Sequence, residues 1–236
     1  MLNNALFLLV IFLTNIVQGI TGFAGTVLAM PPSILLQGIN TAKPILNILG
    51  LLASIWIVAI SYKSLNKKEF VKVMVIMFLG VFAGNYIYSI IPLDILLKIY
   101  AIFIILIALK GIYIKKEMEL NEWILTAIVF VAGIIHGMFV SGGPLLIIYA
   151  AKKFKEKSEF RATVSSVWII LNTYLFYTHY TSGLFVPDTV KKMWWGVIPL
   201  ILGMLIGNVL HKKMSQELFL TITYILLIIS GVTLIF

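Results

Sequence analysis

Cysteine is absent from this chain of 236 residues, and acidic side chains are scarce. The absence of thiols excludes disulfides, thiolate metal sites and thiol chemistry. Only nine residues are Asp or Glu, and none lies deep within an apolar segment. A carboxylate metal site is therefore not expected, and neither is a membrane ion site built on buried carboxylates. We expect no metal and no other cofactor.

Charged residues make up only 11% of the chain, whereas 61% is hydrophobic, against roughly 25% and 45 to 50% in soluble domains. The apolar runs are long enough to cross ~30 Å of hydrocarbon at 1.5 Å per helical residue. Unbroken runs such as 99–109 do not alternate as barrel strands do. The sequence therefore predicts an all-α polytopic membrane protein. Its net charge of +9 lies in clusters at segment ends, so it indicates topology and not a nucleic-acid partner.

Eight apolar segments follow one another, separated by short polar clusters. Their approximate bounds are 4–36, 41–62, 70–91, 93–114, 122–151, 160–182, 189–211 and 215–236. The first and fifth are unusual, because each has some thirty residues with glycine in the middle. The first lacks the basic leader of a secretory signal and runs past a cleavage-sized core, so we expect it to belong to the mature structure.

The second half of the sequence repeats features of the first half in the same order. At an offset of 118, the matches are Gln18-Gly19 with His136-Gly137, Gly25 with Gly143, Lys43 with Arg161, and Tyr62 with Tyr180. At an offset of 123, Gly80-x-x-x-Gly84-Asn85 matches Gly203-x-x-x-Gly207-Asn208. We infer an internal duplication into repeats 1–118 and 119–236. Chance matching of Gly and Leu in apolar sequence is the alternative.

The distribution of Lys and Arg predicts how the repeats are oriented. If all eight segments crossed the membrane, the cations of the two halves would lie on opposite faces. If segments one and five instead enter, break at their glycines and return, each repeat has three crossings and the second repeat is inverted. Most cations then share one face, which is cytoplasmic by the positive-inside tendency, with both termini outside. These cations are Lys63, Lys67, Lys68, Lys72, Lys110, Lys115, Lys116, Lys152, Lys153, Lys155, Lys157, Arg161, Lys212 and Lys213. A single long, kinked or tilted helix at each segment is the alternative.

A helix that breaks inside a membrane leaves backbone groups that lipid cannot satisfy, so such breaks are buried in protein or line a wet cavity. Glycine permits the tight turn, and proline is tolerated in the first turn of a helix. We expect new half-helices to start near Gly25-Thr26 and Gly143-Pro144. Their free amides and partial positive charge would make an anion site between the two breaks. The predicted binding residues are Gln18, Gly19, Thr21, Gly22, Gly25, Thr26, His136, Gly137, Ser141, Gly142, Gly143 and Pro144.

His136 is the one titratable group predicted near mid-membrane, either as a satisfied core residue or as a proton-coupling group. Lys43 and Arg161 open segments two and six, where they either snorkel at the interface or guard a vestibule. Further along, polar residues either line the path or make interhelical hydrogen bonds; they are Asn47, Ser165, Ser166 and Asn172. The two Gly-x-x-x-Gly-Asn motifs are typical of close helix packing.

Three motifs together resemble the sulfite exporter TauE/SafE family of small membrane proteins. They are Gln18-Gly19-x-x-Gly22-Phe23, then Gly137-x-x-x-Ser141-Gly142-Gly143-Pro144, then Arg161-Ala162-Thr163. The resemblance runs over nearly the whole chain and implies a permease for sulfite, sulfoacetate or a similar organic anion. The first half departs from the second half in carrying Pro31-Pro32 at a distance from its break.

The expected partners are thus a small anionic solute and the lipid bilayer. A passive channel is the main alternative, because half-helices that meet at the midplane also build pores, but no Asn-Pro-Ala occurs at these breaks. An enzyme using Ser141 and His136 would lack a third orienting group. A non-transporting assembly or signalling protein is a further alternative. The sequence does not decide the anion, the direction, the coupling ion or whether a homodimer forms.

Overall fold

The computed structural model describes residues 2–113, 120–154, 156–213, 224–225, 228–229 and 231–232. Apart from short helical pieces after residue 223, these residues form nine α-helices and no strand. The helices are α1 (Leu2–Thr21), α2 (Gly25–Gln37), α3 (Ile39–Ser61), α4 (Lys67–Ile90), α5 (Leu93–Tyr113), α6 (Glu122–Phe139), α7 (Gly143–Lys153), α8 (Lys157–Thr181) and α9 (Pro187–Lys213). The eighth predicted segment, 215–236, lies mostly outside the described residues. The predicted all-α class is confirmed.

Six of these helices are long and apolar enough to cross a membrane; they are α1, α3, α4, α5, α6 and α9. The surface and the interior agree with this assignment. Large apolar side chains such as Leu106 and Ile198 are 60% and 67% exposed, whereas Asn15 and Asn47 are buried. This pattern is the reverse of a water-soluble protein, where polar groups face the solvent. The chain is a polytopic membrane protein.

Helix α8 has 25 residues but is too polar to count among the six. Its polar side chains face inward and are buried against the rest of the bundle; they are Arg161, Thr163, Ser165, Asn172 and His179. It packs mainly on α3 and α4. Polar residues at membrane depth usually face the interior of a helix bundle or a cavity. The polarity of α8 therefore indicates that α8 lines the interior of this bundle.

The first and fifth predicted segments each form a helical hairpin whose ends lie together. At the end of α2, Gln37 Nε2 donates to Asn3 O at 3.3 Å and to Asn4 Oδ1 at 3.0 Å. At the end of α7, Lys153 pairs with Glu122 at the start of α6. Each segment thus returns to the place where it began.

The hairpins are less even than the sequence indicated. Two half-helices were expected in each, but α1 has 20 residues and α6 has 18, each enough for a full span. Only the second arms are short, with 13 residues in α2 and 11 in α7. The expectation is wrong for the first arms because Gly19 and Gly137 lie inside helices, and the chain turns only after Thr21 and Phe139.

The ends of several helices lie on one face, which we call the second face. At the start of α4, Asn66 N donates to Thr163 Oγ1 at 3.0 Å, and Asn66 Nδ2 donates to Glu159 Oε1 at 2.7 Å, both near the start of α8. Lys72 pairs with Glu122 at 2.9 Å, which adds the start of α6. The opposite face, where α1 starts and α2 ends, is called the first face. The inverted arrangement, which remains a prediction, requires that the two hairpins enter from opposite faces.

Two helix pairs pack so closely that glycine is required at the contact. A Cβ added to Gly19 on α1 would lie 3.1 Å from Met204 O on α9, and one added to Gly137 on α6 would lie 2.6 Å from Val81 O on α4. The offsets of 118 and 123 that relate the two halves of the sequence also relate these two contacts. The contacts support the duplication and the inverted arrangement, which remain predictions, as do the boundaries 1–118 and 119–236.

Candidate functional site

Both hairpins turn through one residue in the left-handed conformation. Gly22 has φ +84° and Val140 has φ +55°. The amide of Gly22 donates to Gln18 O at 2.7 Å, and the amide of Val140 donates to His136 O at 2.7 Å. The offset of 118 relates these bonds too. The helices that follow begin at Gly25 and Gly143, as the sequence predicted.

The two turns meet inside the protein. A Cβ added to Gly143 would lie 2.7 Å from Phe23 O, so the start of α7 touches the turn of the first hairpin. Beside this contact is a cavity of about 10 Å³, which is room for about one water molecule. It is lined by both hairpins and by α3 and α8, through Gln18, Phe23, Thr26, Gly50, Ser54, His136, Val140, Gly143, Trp168 and Asn172.

Asn172 connects three elements around this cavity. Its backbone oxygen accepts from Asn47 Nδ2 at 3.0 Å, and its side-chain Oδ1 lies 2.9 Å from His136 Nε2. The ring of His136 stacks on Trp168, with centroids 4.5 Å apart. Within the described part of the chain, His136 Nδ1 and Asn47 Oδ1 are buried without a hydrogen-bond partner. The site thus holds polar atoms that remain available to a ligand or water.

The first hairpin uses its polar side chains to satisfy its own turn. Gln18 Oε1 accepts from the amide of Gly25 at 2.8 Å, and Thr21 Oγ1 accepts from the amides of Phe23 and Ala24 at 3.3 and 3.2 Å. The sequence analysis expected bare amides here, but Gln18 occupies that of Gly25. A second small cavity, also about 10 Å³, lies beside Gln18 and Thr26.

The second hairpin is arranged differently. His136 takes the place that Gln18 has in the first hairpin but bonds Asn172. Pro144 has no amide hydrogen, so it leaves none to satisfy in the first turn of α7. Ser141 donates to Phe139 O at 2.7 Å. No hydrogen bond links Ser141 to His136 among the described residues, and nothing in this geometry favours a catalytic pair.

Several predicted binding glycines serve packing in this structure. Gly19 and Gly137 contact α9 and α4, as described above. A Cβ on Gly142 would meet the carbonyl of Ala132, and one on Gly22 would lie 2.8 Å from Arg161 Cγ. The structure thus brings Gln18, Thr26, His136 and Gly143 to the central cavity but leaves these four glycines outside its lining.

Lys43 and Arg161 are each only 4% exposed, so neither side chain snorkels to the membrane surface. The ammonium of Lys43 lies 3.8 Å from the ring centroid of Tyr88. The guanidinium of Arg161 donates to Asn208 Oδ1 at 3.3 and 3.4 Å. In the part of the chain that the structure describes, neither cation has a carboxylate within ion-pair distance.

The remaining predicted pathway residues were expected either to line the path or to make interhelical hydrogen bonds, and the structure shows examples of both. Ser165 is fully buried, and its hydroxyl has no partner among the described residues. Ser166 donates to Ala162 O at 2.9 Å within α8. Asn47 and Asn172 make the interhelical bond given above, and Asn172 also lines the cavity.

Sequence reasoning missed several lining residues: Phe23, Gly50, Ser54, Val140 and Trp168. The signal that would have found most of them is the offset of 118. It pairs Gly50 with Trp168 and Ser54 with Asn172, so equivalent positions on α3 and α8 face the same cavity.

One comparison with known proteins identifies a family. A family model described as sulfite exporter TauE/SafE matches residues 7–234, which is nearly the full length. No curated protein and no solved structure matches the chain.

Proposed function

Because the chain belongs to the sulfite exporter TauE/SafE family, we propose that it is a permease for a small sulfur-containing or organic anion such as sulfite or sulfoacetate. The anion binds between the two hairpin turns and moves by alternating access. The observation that supports this proposal is the small cavity where both hairpins meet, lined by Thr26, His136, Gly143 and Asn172.

The chemistry of the cavity suits an oxyanion. Thr26 brings a hydroxyl group, and the side-chain amide of Asn172 brings donor hydrogens, whereas the hydroxyl of Ser54 donates to Gly50 O at 2.7 Å. Helices α2 and α7 both begin at this point, so their N-terminal partial positive charges add there. The helix dipoles and neutral donors hold the oxyanion without an ion pair. A permanent ion pair would slow the release of the oxyanion.

Lys43 and Arg161 supply the formal positive charge on the pathway. Each is buried without a carboxylate partner in the described residues, one near the start of α3 and the other near the start of α8. A buried cation of this kind is expensive in a membrane unless an anion visits it. In this proposal, each attracts the solute from its own face.

The packing suggests which parts move. Helix α1 contacts α9 through backbone at Gly19 and Gly207, and α6 contacts α4 in the same way at Gly137 and Gly84. Each hairpin is therefore joined to its own long helix as one unit. Rocking of one unit against the other would widen the cavity toward one face at a time. The cavity has room for about one water molecule, so the anion enters only after this movement has widened it.

The charge distribution supports the orientation. The second face carries the lysine-rich ends of α3, α4 and α7, so we place it in the cytoplasm, with both termini outside. The protein acts as a multi-pass protein of the cytoplasmic membrane.

Counterflow in proteoliposomes tests the function. Purified protein is reconstituted with unlabelled sulfite, sulfoacetate, sulfolactate or taurine inside, and the labelled compound is added outside. We expect transient accumulation that saturates with at least one sulfur-containing anion. Flux that does not saturate and shows no counterflow would identify a passive channel, and no flux with any anion would contradict the permease.

A substitution at the hairpin contact connects the flux to the site. Gly143→Leu fills the contact with Phe23 and the cavity, so transport should fall to background while membrane insertion persists. Ser182→Leu is the control, because Ser182 is exposed in the turn after α8 and has a φ of −81° that leucine adopts without strain. Wild-type flux in Gly143→Leu would rule out a site between the turns.

A further inference from the structure

The first-face side of the cavity carries a cluster of nitrogen bases. His136 lines the cavity itself. On α3, Lys43 lies one helical turn from Asn47 toward the first face, and on α8, His179 lies two turns from Asn172 in the same direction. The bond between Asn47 and Asn172 shows that these helices face each other at this level.

This cluster is buried, and it is poor in hydrogen bonds. His179 is 4% exposed, and neither of its ring nitrogens has a partner among the described residues. His136 bonds Asn172 through Nε2 and leaves Nδ1 without a partner there. Lys43 lies over the ring of Tyr88. Three unpartnered ring nitrogens in a protein interior require an explanation, because buried polar groups are normally satisfied.

The groups packed around the cluster provide no buried negative charge. Tyr88 on α4 faces Lys43, and Tyr100 on α5 is buried with its ring stacked on Phe139 at the end of α6. The acidic residues that the structure describes at the first face, Asp94 and Asp188, are both exposed. Within the described chain, the cluster lacks a buried counter-anion.

The opposite half does not reproduce the cluster. The offset of 118 pairs Lys43 with Arg161, pairs Gln18 with His136 and pairs Ser61 with His179. Arginine stays protonated in proteins, and the side chains of Gln and Ser do not exchange a proton near neutral pH. Among these matched positions, only the histidines are side chains whose ordinary chemistry allows proton exchange near neutral pH.

We propose that His136 and His179, on the same side of the cavity as Lys43, bind one proton together with the transported anion, so that the carrier moves proton and anion in the same direction. This inference rests on the proposed function. The positive charge of Lys43 disfavours a proton on either histidine, whereas an anion in the cavity favours it. Each ligand therefore raises the affinity for the other. The proton is held on an imidazole nitrogen and crosses the membrane with the anion.

The experiment compares exchange with gradient-driven accumulation in proteoliposomes that contain a pH-sensitive dye. The probe is sulfoacetate, whose sulfonate and carboxylate stay ionised near neutral pH, with sulfite used in parallel. In the wild type, an imposed pH gradient should drive at least fivefold accumulation, and the dye should report protons that move with the anion. Counterflow without any effect of the gradient would overturn proton coupling and leave the permease intact. Absence of counterflow would overturn the permease itself.

His179→Gln isolates the cluster, because its ring makes no hydrogen bond in the described structure that the substitution would break. We expect counterflow within about twofold of wild type, but loss of the gradient-driven accumulation and of the dye signal. His211→Gln is the matched control, because His211 lies on α9 with Nδ1 2.7 Å from Ile20 O, away from the cluster. It should keep the coupling.

A second variant covers the case in which His179→Gln folds poorly, which is monitored by gel filtration. His179→Asn places a smaller polar, non-basic side chain at the same position and should also uncouple accumulation from counterflow. Full coupling in a folded His179→Gln or His179→Asn protein would overturn the assignment of the proton to this cluster.

Discussion

Gly22 and Val140 both have a φ in the left-handed region, +84° and +55°, at equivalent places in the two hairpins. Each donates its amide to the carbonyl of the residue four positions earlier. Only glycine adopts this conformation without cost, and a β-branched residue there is a marked outlier. The second hairpin therefore keeps, under strain, a turn that the first hairpin makes freely.

Exchanging these two residue types should have opposite consequences. Gly22→Val adds roughly 1–2 kcal/mol of backbone strain and a clash with Arg161 Cγ, so the melting temperature in detergent should fall clearly. Val140→Gly removes a similar strain but also about 1.5 kcal/mol or more of buried side chain, so the change should be small. Thermal unfolding of both variants in detergent measures the difference. An equal loss in the two variants would show that the turn at Val140 is not strained.

The close contact between α1 and α9 predicts a difference between two glycines on one helix. Alanine at Gly207 would meet the backbone of α1 at Ile16 and Gly19, which cannot move aside. Alanine at Gly196 would meet only the ends of the Leu49 and Ile11 side chains. We expect Gly207→Ala to destabilise the protein by about 1–3 kcal/mol and Gly196→Ala by much less. Unfolding of both variants in the same detergent checks this, and equal stability would contradict the packing.

Much of the fold follows from local sequence signals. Glycine and proline placed the starts of the second arms at Gly25 and Gly143, because the residues that permit a turn are few. The same signal could not say that Gly19 and Gly137 continue a helix, since close helix packing and tight turns both require glycine. A left-handed Val140 carries no signal at all, because its own preference opposes that conformation.

The candidate site was less predictable than the fold. Gln18 and His136 were paired by the duplication, but their different partners depend on which helices surround them. Trp168 lines the cavity, although tryptophan in a membrane protein is more often an interfacial anchor. The hydrogen-bond partners of Gln18 and His136 and the position of Trp168 depend on tertiary contacts. The sequence gives the residue types but not which residues lie next to each other in the fold.

The proposed orientation can be checked by labelling in a chain that has no cysteine of its own. Asn40→Cys and Ser182→Cys are exposed at the first face, and Lys67→Cys and Glu156→Cys are exposed at the second face. In intact cells, a membrane-impermeant thiol reagent should label the first pair. The second pair should react only after the membrane is permeabilised. The reverse pattern would invert the orientation, and a mixed pattern within a pair would contradict the inverted repeats.

The sign of the solute charge can be tested at Asn172. Asn172→Asp has nearly the same shape and keeps an acceptor for His136 Nε2, but it places a negative charge on the cavity wall. An anion entering this site would meet that charge in a medium that screens poorly, so we expect at least a tenfold loss of sulfoacetate counterflow, or about 1.4 kcal/mol. Asn121→Asp is the control, because it caps α6 through the same kind of oxygen at the exposed start of the helix. Flux should be unchanged in the control. If Asn172→Asp transported sulfoacetate as well as the wild type, the anion would have to cross elsewhere, because a charge on the wall of its only passage could not leave its rate unaltered.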